Sequence, residues 1–222
     1  MKIKLLILKK CIGAIISLLC YMIWIFHYDY ACYCGMTSIN REVSLIFFEF
    51  IRKMVRNIFL TGPPSSGKTT VIRKVMEQIG GNATGFYTQE IKKRDRRVGF
   101  MMKTLDGKEG LLGHEDVRST YHIRRYGVSI ENIENIAVPA ITPQSEDMII
   151  VIDEIGKMEC FSAKFCEAAL NAINAPNRVV GTIAVGGTDF IRSVKERNDI
   201  TICEVTLHNR DQLPDQLIKM LL

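Results

Sequence analysis

Short apolar runs and longer segments of helical periodicity alternate through most of the 222-residue chain. Five runs have the length and composition of buried strands, at residues 58–60, 85–90, 148–152, 178–183 and 200–206. Four segments have helical spacing or helix-start signals, at residues 70–76, 161–173, 190–195 and 213–222. Strands that alternate with helices predict a mostly parallel sheet covered on both faces, with ligand loops at the carboxyl ends of the strands.

A different pattern interrupts this alternation after the second strand. Residues 97–103 alternate loosely between apolar and polar, the pair Asp106-Gly107 signals a turn, and residues 110–112 follow as a short strand. A helical turn and a loop are expected within residues 133–139. The predicted fold is therefore α/β, a doubly wound and mostly parallel sheet with a β-hairpin insertion.

The turn between the first strand and the first helix has a complete phosphate-binding signature. The pattern G-x-x-x-x-G-K-[ST] is matched by Gly62, Pro63, Pro64, Ser65, Ser66, Gly67, Lys68 and Thr69. The glycines let successive backbone N–H groups converge on one anion, and the helix adds the positive end of its dipole. Lys68 is expected to reach the β- and γ-phosphates, and the Thr69 hydroxyl to ligate a bridging Mg²⁺. The sequence thus predicts a P-loop that binds a nucleoside triphosphate.

Two consecutive carboxylates end the apolar run at residues 148–152. A buried strand that closes on Asp153 and Glu154 is a Walker B pattern, in which Asp153 would hold the Mg²⁺ shell. Glu154 would orient or deprotonate an attacking water, so Lys68 and Glu154 are the predicted catalytic residues and Thr69 and Asp153 the predicted metal ligands. The alternative is that Glu154 caps the strand end or pairs with Lys157.

The front of the chain differs from the rest in charge and hydropathy. Residues 1–53 contain seven Lys and Arg against three Asp and Glu, whereas the remainder contains 22 and 21. The uncharged apolar segment 11–26 is about right for a signal-peptide core or a tilted membrane anchor. Four lysines precede it, a bias that would place the nucleotide site outside the cell, where ATP is scarce. We therefore expect a P-loop domain at residues 54–222, behind an extension 1–53 that is dispensable or an over-long start assignment.

Charge and cysteine content narrow the partners and the compartment. The near-neutral balance of residues 54–222 gives no electrostatic reason to expect a nucleic-acid partner, and membrane association would depend on residues 11–26 alone. Cys160, Cys166 and Cys203 are scattered without paired zinc-ligand spacing. Such a set of unpaired thiols is typical of a reducing compartment, so the predicted location is the cytoplasm.

Several segments together resemble the nucleoside-triphosphatase family, small P-loop enzymes that include thermophile members and the animal cancer-related nucleoside-triphosphatase. The resemblance covers residues 54–222, and its most specific part is the string Asp-Glu-Ile-Gly-Lys-Met-Glu at 153–159. The other segments that carry it are residues 58–64, 85–88, 97–100, 126–128 and 209–211. The family typically has a third glycine where this chain has Ser65.

The resemblance implies slow hydrolysis of several nucleoside triphosphates (ATP, GTP, CTP and UTP) to a diphosphate and phosphate. It also implies a second nucleotide-binding stretch, made of Val151, Ile152, Asp153, Glu154, Ile155, Gly156, Lys157 and Met158. The residues themselves predict tolerance for different bases, because Asp211 follows Asn209 by two positions rather than the three of a guanine-specific N-K-x-D clamp. Asn209, Arg210 and Asp211 are expected either to lie beside the base or ribose or to cap the helix that begins near Leu213.

Hydrolysis is the leading interpretation, and two alternatives stay open. A kinase would use the same loop and metal to transfer the γ-phosphate to a nucleotide, a nucleic-acid end or a small metabolite. A nucleotide-dependent switch would use slow turnover to reset a partner-binding state. Phosphate transfer also needs a further cation, for which the sequence offers Arg124, Arg125, Arg192 and Arg197.

Overall fold

The computed structural model describes residues 56–222, and in this part of the chain nine strands form one sheet. The strands are β1 (Asn57–Thr61), β2 (Ala83–Lys93), β3 (Arg96–Thr104), β4 (Glu109–His114), β5 (His122–Ile123), β6 (Tyr126–Val128), β7 (Ile149–Ile155), β8 (Val179–Ile183) and β9 (Ile200–Glu204). Their order across the sheet is β5-β6-β4-β3-β2-β7-β8-β1-β9. Strands β2, β7, β8, β1 and β9 run parallel to their neighbours within this half of the sheet, and the rest are antiparallel.

Helices connect the parallel strands and cover the sheet. They are α1 (Lys68–Ile79), α2 (Ile130–Asn132), α3 (Val138–Ile141), α4 (Ala163–Asn174), α5 (Asp189–Lys195) and α6 (Leu213–Leu221). A π-helical stretch (Ile133–Ala137) joins α2 to α3, and a 3₁₀ turn (Glu159–Phe161) precedes α4.

Strand β1 lies inside the sheet and divides the core into two. Ile58 and Leu60 pack with the apolar faces of α1 and α6, whereas Phe59 points to the other face, where α4 supplies Phe165 and Ala169. This alternation follows from the period of two along a strand, and it buries β1 on both faces. The carboxyl ends of β1, β7 and β8 therefore meet at one edge of the sheet, above the core.

The antiparallel half is an extension built from a long hairpin. Strands β2 and β3 are joined by Arg94 and Asp95, whose φ angles are 48° and 60°. Two consecutive residues with positive φ form the type of two-residue turn that matches the twist of a hairpin. This hairpin carries the charged cluster at residues 92–97, which is exposed for the most part.

The doubly wound α/β P-loop fold and the hairpin insertion predicted from the sequence are confirmed. The predicted boundaries differ in places, since β2 continues to Lys93 and the helical region before β7 extends over residues 130–141. Strands β5 and β6 were not predicted, because elements of two and three residues are too short to show alternation.

Among residues 56–222, no helix is both long enough and apolar enough to cross a membrane. The predictions for the extension 1–53, including its apolar segment 11–26, fall outside the described residues. The domain boundary at residue 54 accordingly stays a prediction.

Candidate active site

The phosphate-binding signature forms the connection between β1 and α1. Gly62 has φ 144°, and a Cβ at this position would lie 2.8 Å from the carbonyl oxygen of Val205, so the position requires glycine. Gly67 has φ 102° and immediately precedes α1, whose first turn contains no acidic side chain. The positive end of the α1 dipole therefore faces the loop without a competing carboxylate from the helix itself.

The inside of the loop holds a cation and an unpaired hydroxyl. Lys68 Nζ donates hydrogen bonds to the carbonyl oxygens of Gly62 at 3.0 Å and Pro63 at 3.1 Å. Ser66 Oγ is buried and has no hydrogen-bond partner among the described residues. This hydroxyl lies across the loop from Gly62, since a Cβ added to Gly62 would be 3.1 Å from Ser66 Oγ. This combination of donors suits a phosphate oxygen.

Two carboxylates lie at the carboxyl end of β7. The pairing of β7 with β8 is regular up to Ile152 and resumes at Ile155, so Asp153 and Glu154 fall in an irregular step that changes the aim of their side chains. Strand β8 separates β7 from β1, which leaves two strand spacings, about 10 Å, between the two strand ends. The side chains approach more closely than the strand ends, since the Thr69 hydroxyl and the charge of Lys68 both act on the Asp153 carboxyl.

Asp153 is almost fully buried, with 1% of its surface exposed. The Thr182 hydroxyl donates to its Oδ1 at 2.6 Å, whereas its Oδ2 has no hydrogen-bond partner among the described residues. Burial raises the pKa of Asp153, and the hydroxyls of Thr182 and Thr69 and the charge of Lys68 act in the opposite direction. A buried carboxylate oxygen without a partner, near a threonine hydroxyl, is a donor set that fits a hard divalent cation.

Glu154 and one further acidic side chain, Glu159, are grouped around Gly156. A Cβ on Gly156 would lie 2.7 Å from Glu159 Oε2 and 3.2 Å from Glu154 Oε1. Burial and the charge of Asp153 raise the pKa of Glu154, and the charges of Lys68 and Lys195 oppose this. Glu159 is 4% exposed, and burial together with the charge of Glu154 raises its pKa to about 8. The two glutamates therefore favour holding a proton more than exposed glutamates do.

The remaining residues of the stretch 151–158 have structural contacts of their own. The side chains of Val151, Ile152 and Ile155 are buried in the core, and Met158 Sδ lies beside Gly113 of β4. Lys157 is exposed, and within residues 56–222 no ion pair joins it to Glu154. Pairing with Lys157, one of the two structural alternatives for Glu154, is therefore absent among the described residues.

Comparison with known proteins decides the family. The family model described as NTPase matches residues 57–218. The chain belongs to the nucleoside-triphosphatase family. Nucleoside-triphosphatase THEP1 of Thermotoga maritima is 39% identical over 166 residues, which cover 74% of this chain and 94% of that protein. The cancer-related nucleoside-triphosphatase homolog of Bos taurus is 36% identical over 182 residues, covering 74% and 96%.

Solved structures of the nucleoside-triphosphatase family agree with this assignment. The crystal structure of THEP1 from Aquifex aeolicus superposes with a TM-score of 0.69 at 32% sequence identity. The superposition covers 74% of this chain and 98% of that structure.

In this nucleoside-triphosphatase, the segment 209–211 adopts a different arrangement from the predicted helix cap. Asn209 Oδ1 accepts from the backbone N–H of Thr206, and its Nδ2 donates to the carbonyl of Glu204, both at 2.8 Å. Gln212 occupies the N-cap position directly before α6, and its side chain makes no capping hydrogen bond. Asn209 thus fixes the turn after β9, and it leaves the Arg210 Cδ 3.5 Å from the Cβ position of Gly67 at the P-loop.

The four arginines considered as a further cation take other positions. Arg125 donates to the carbonyl of Arg97 and to the hydroxyl of Tyr126, and Arg197 is held by Asp199 and Asn174. Arg192 is paired with Asp189 on the exposed side of α5. Arg124 occupies a turn with φ 55° and is exposed.

Three side chains that sequence reasoning missed lie in or beside the site. Thr182 was detectable as a lone polar residue in an apolar strand, since a buried polar side chain needs a partner. Glu159 was part of the recognised acidic string, but its burial gave no sequence signal. Lys195 carried no signal either, because its proximity to Thr61 joins positions 134 residues apart.

Proposed function

We propose that the protein hydrolyses nucleoside triphosphates to a nucleoside diphosphate and phosphate, with Mg²⁺ as cofactor. The observation that carries this proposal is the pair at the end of β7, the buried Asp153 and the partly buried Glu154, with a P-loop two strands away. Membership of the nucleoside-triphosphatase family supports it, because the relatives are named for that activity.

The P-loop residues 62–69 would bind the phosphate chain. Lys68 Nζ now donates to two loop carbonyls, and an incoming phosphate oxygen is a stronger acceptor for the same ammonium group. The hydroxyl of Ser66, which has no partner among the described residues, adds a neutral donor from within the loop. These contacts hold the β- and γ-phosphates in one orientation.

Thr69 and Asp153 would hold the Mg²⁺. When bound, the cation would draw negative charge from the β- and γ-phosphate oxygens and orient the phosphate chain. The hydrogen bond from Thr182 fixes one oxygen of Asp153 and leaves the other free for this role. Thr182 therefore acts as a positioning residue for the carboxylate.

Glu154 would act as the general base. A water molecule attacks the γ-phosphorus, its proton passes to the Glu154 carboxylate, and the bond from the γ-phosphorus to the bridging oxygen of the diphosphate breaks. A base with a raised pKa takes up the proton more readily, and burial together with the neighbouring Asp153 raises the pKa of Glu154. The charges of Lys68 and Lys195 act against this rise in the pKa of Glu154.

The base of the nucleotide would be held with little selectivity. No N-K-x-D clamp is present in the sequence, and the side chain of Asn209 is engaged with Thr206 and Glu204. Arg210, beside Gly67, offers a planar cation against which any of the four bases can stack. This arrangement supports turnover of ATP, GTP, CTP and UTP alike.

Asp211→Ala tests the position next to Arg210. An unchanged preference between ATP and GTP in this variant would show that Asp211 does not contact the base.

The test is phosphate release by the full-length protein with each of the four nucleotides, in the presence of Mg²⁺ and after chelation. Several nucleotides are expected to be hydrolysed, and chelation is expected to abolish release. Lys68→Ala should lose nucleotide binding. Glu154→Gln should keep binding but slow release by on the order of 10²–10⁴-fold, the usual contribution of a general base.

The matched control is Glu167→Gln, at an exposed position of α4, which is expected to keep the wild-type rate. An unchanged rate for Glu154→Gln would exclude it as the base. Formation of diphosphate only after addition of an acceptor molecule would replace hydrolysis by the kinase alternative, and a stable triphosphate-bound form that captures a partner would favour the switch.

A further inference from the structure

The active site needs a cation beyond Lys68 and the metal. During phosphoryl transfer, negative charge is spread over the three equatorial oxygens of the moving group, and an additional cation commonly stabilises it. Three of the four arginines that the sequence offered for this role are engaged with other groups, and the fourth, Arg124, is exposed in a turn. A cation that already lies beside the P-loop is therefore the better candidate for this role.

Lys195 lies in the last turn of α5 and reaches the edge of the P-loop. Its Nζ donates to the carbonyl of Val185 at 2.8 Å and lies 3.5 Å from Thr61 Oγ1. Thr61 is the last residue of β1, and Gly62 of the P-loop follows it directly. The ammonium group is thus placed beside the start of the phosphate-binding loop.

The charge of Lys195 also acts on the proposed general base. The two side chains are close enough for their charges to act on each other. Both hydrogen-bond acceptors of Lys195 are neutral oxygens, and within residues 56–222 no carboxylate forms an ion pair with it. A partly buried ammonium group without a paired anion is well suited to receive an anionic ligand.

The backbone that carries Lys195 is firmly held. The Thr188 hydroxyl accepts from the N–H of Ile191 and so caps α5. Ile191 and Val194 are 1% and 0% exposed and anchor the helix in the core. Only the flexible side chain of Lys195 has to move, exchanging the Val185 carbonyl for a phosphate oxygen.

We propose that Lys195 binds the γ-phosphate of the bound nucleotide and stabilises the charge that develops on it during transfer. The proposal rests on the proposed hydrolysis of nucleoside triphosphates. It makes Lys195 a catalytic residue, in contact with the transferred group between Thr61 and Glu154. Lys68 then binds the phosphates from the P-loop, and Lys195 binds the γ-phosphate from α5.

The test uses the full-length protein with Lys195→Met, which keeps the aliphatic chain and removes the charge, and Lys195→Arg, which keeps the charge. Lys219→Met is the matched control, because Lys219 is also in the last turn of a helix and is exposed. Thermal melting establishes that each variant is folded. For each, kcat and KM for ATP are measured, together with the affinities for ADP and for the β,γ-imido analogue of ATP in Mg²⁺.

Lys195→Met is expected to lower kcat by on the order of 10²-fold or more. It should reduce the preference for the imido analogue over ADP, with the ADP affinity retained, and Lys195→Arg should restore part of both. Equal losses of affinity for the analogue and for ADP would show that Lys195 only supports the structure of the loop, and would overturn the proposal. An unchanged kcat in Lys195→Met would overturn it as well.

The proposed function can fail separately from this inference. If the wild-type protein releases no phosphate from any nucleotide, hydrolysis is wrong, and the comparison of the analogue with ADP decides the role of Lys195 alone. If Lys195→Met then loses the preference for the imido analogue over ADP, the contact between Lys195 and the γ-phosphate is supported. If the preference is unchanged, the proposed contact is wrong.

Discussion

Ser65 holds a backbone conformation with φ 64°, in the left-handed region that residues with a Cβ adopt at a cost. The same loop holds the Lys68 contacts with Gly62 and Pro63. The conformation of Ser65 is therefore a local cost within the phosphate-binding loop.

Ser65→Gly is expected to stabilise the protein by about 1 kcal/mol, because it removes the steric cost of the left-handed conformation at the expense of some chain entropy. For a chain of this size the melting temperature should rise by roughly 2–4 °C. Calorimetry or thermal circular dichroism measures the shift. Ser66→Gly, one position along and without a positive φ, should lower the melting temperature instead; a rise in both variants would contradict this account.

Glu159 links stability to pH. Its native pKa of about 8 lies well above that of an exposed glutamate, so the native state retains a proton that the unfolded chain has lost at intermediate pH. The free energy of unfolding should therefore decrease as the pH rises from about 4.5 through about 8, and then level off. The stabilising form of this residue is the neutral one.

Glu159→Gln keeps the shape of the neutral side chain and cannot ionise. It is expected to remove this decrease and to leave the variant more stable than wild type at pH 8.5 by on the order of 2–4 kcal/mol. Denaturant unfolding at pH 5, 7 and 8.5 measures the effect. Parallel profiles for the two proteins would show that Glu159 does not titrate in this range.

Glu134 provides a control of opposite sign. Hydrogen bonds from Lys164 and Ser162 lower the pKa of its carboxylate, so its contribution is present above the usual glutamate pKa and is lost as the pH falls. Glu134→Gln should alter only the acid side of the profile.

At the scale of elements, the β2–β3 hairpin closes on two residues that are poorly suited to its turn. Arg94 and Asp95 both have positive φ, and type I′ turns of this kind favour Asn followed by Gly. The flanking strands pair closely up to this turn, with Lys93 opposite Arg96. The turn is therefore set by the pairing of the strands rather than by its own residues.

Replacing the turn with Arg94→Asn and Asp95→Gly is expected to stabilise the protein by roughly 0.5–1 kcal/mol, because both residues then accept positive φ readily. Chemical denaturation measures the change. The same pair of residues moved outward, as Lys93→Asn and Arg96→Gly, should destabilise the hairpin. Equal effects at the two positions would mean that the turn geometry does not matter.

The elements that the sequence predicts well are those whose signals are contiguous. The P-loop, which includes Lys68 and Thr69, is eight consecutive residues after an apolar run. The pair Asp153-Glu154 likewise follows an apolar run directly. Thr182 and Lys195 acquire their surroundings only when β8 and α5 pack beside β1 and β7. Such contacts depend on the order of strands in the sheet, which hydrophobic periodicity does not specify.

At the scale of the whole molecule, residues 56–222 contain both core clusters and the complete candidate site. A fragment that starts at Met54 is expected to unfold in one cooperative transition and to release phosphate at the rate of the full chain. Calorimetry and the phosphate assay test both statements. A fragment that fails to fold, or that loses activity while folded, would show that the preceding residues contribute to the enzyme.

The position of β1 has a consequence for how the chain is made. β1 pairs with β8 and β9. These two strands lie at residues 179–183 and 200–204, so they leave the ribosome long after β1. Until then, the P-loop has no neighbouring strand on either side, and its apolar strand is exposed to other chains. Pairing between strands so far apart in the sequence is also slow. A nascent chain should therefore bind nucleotide only after β8 and β9 have been synthesised.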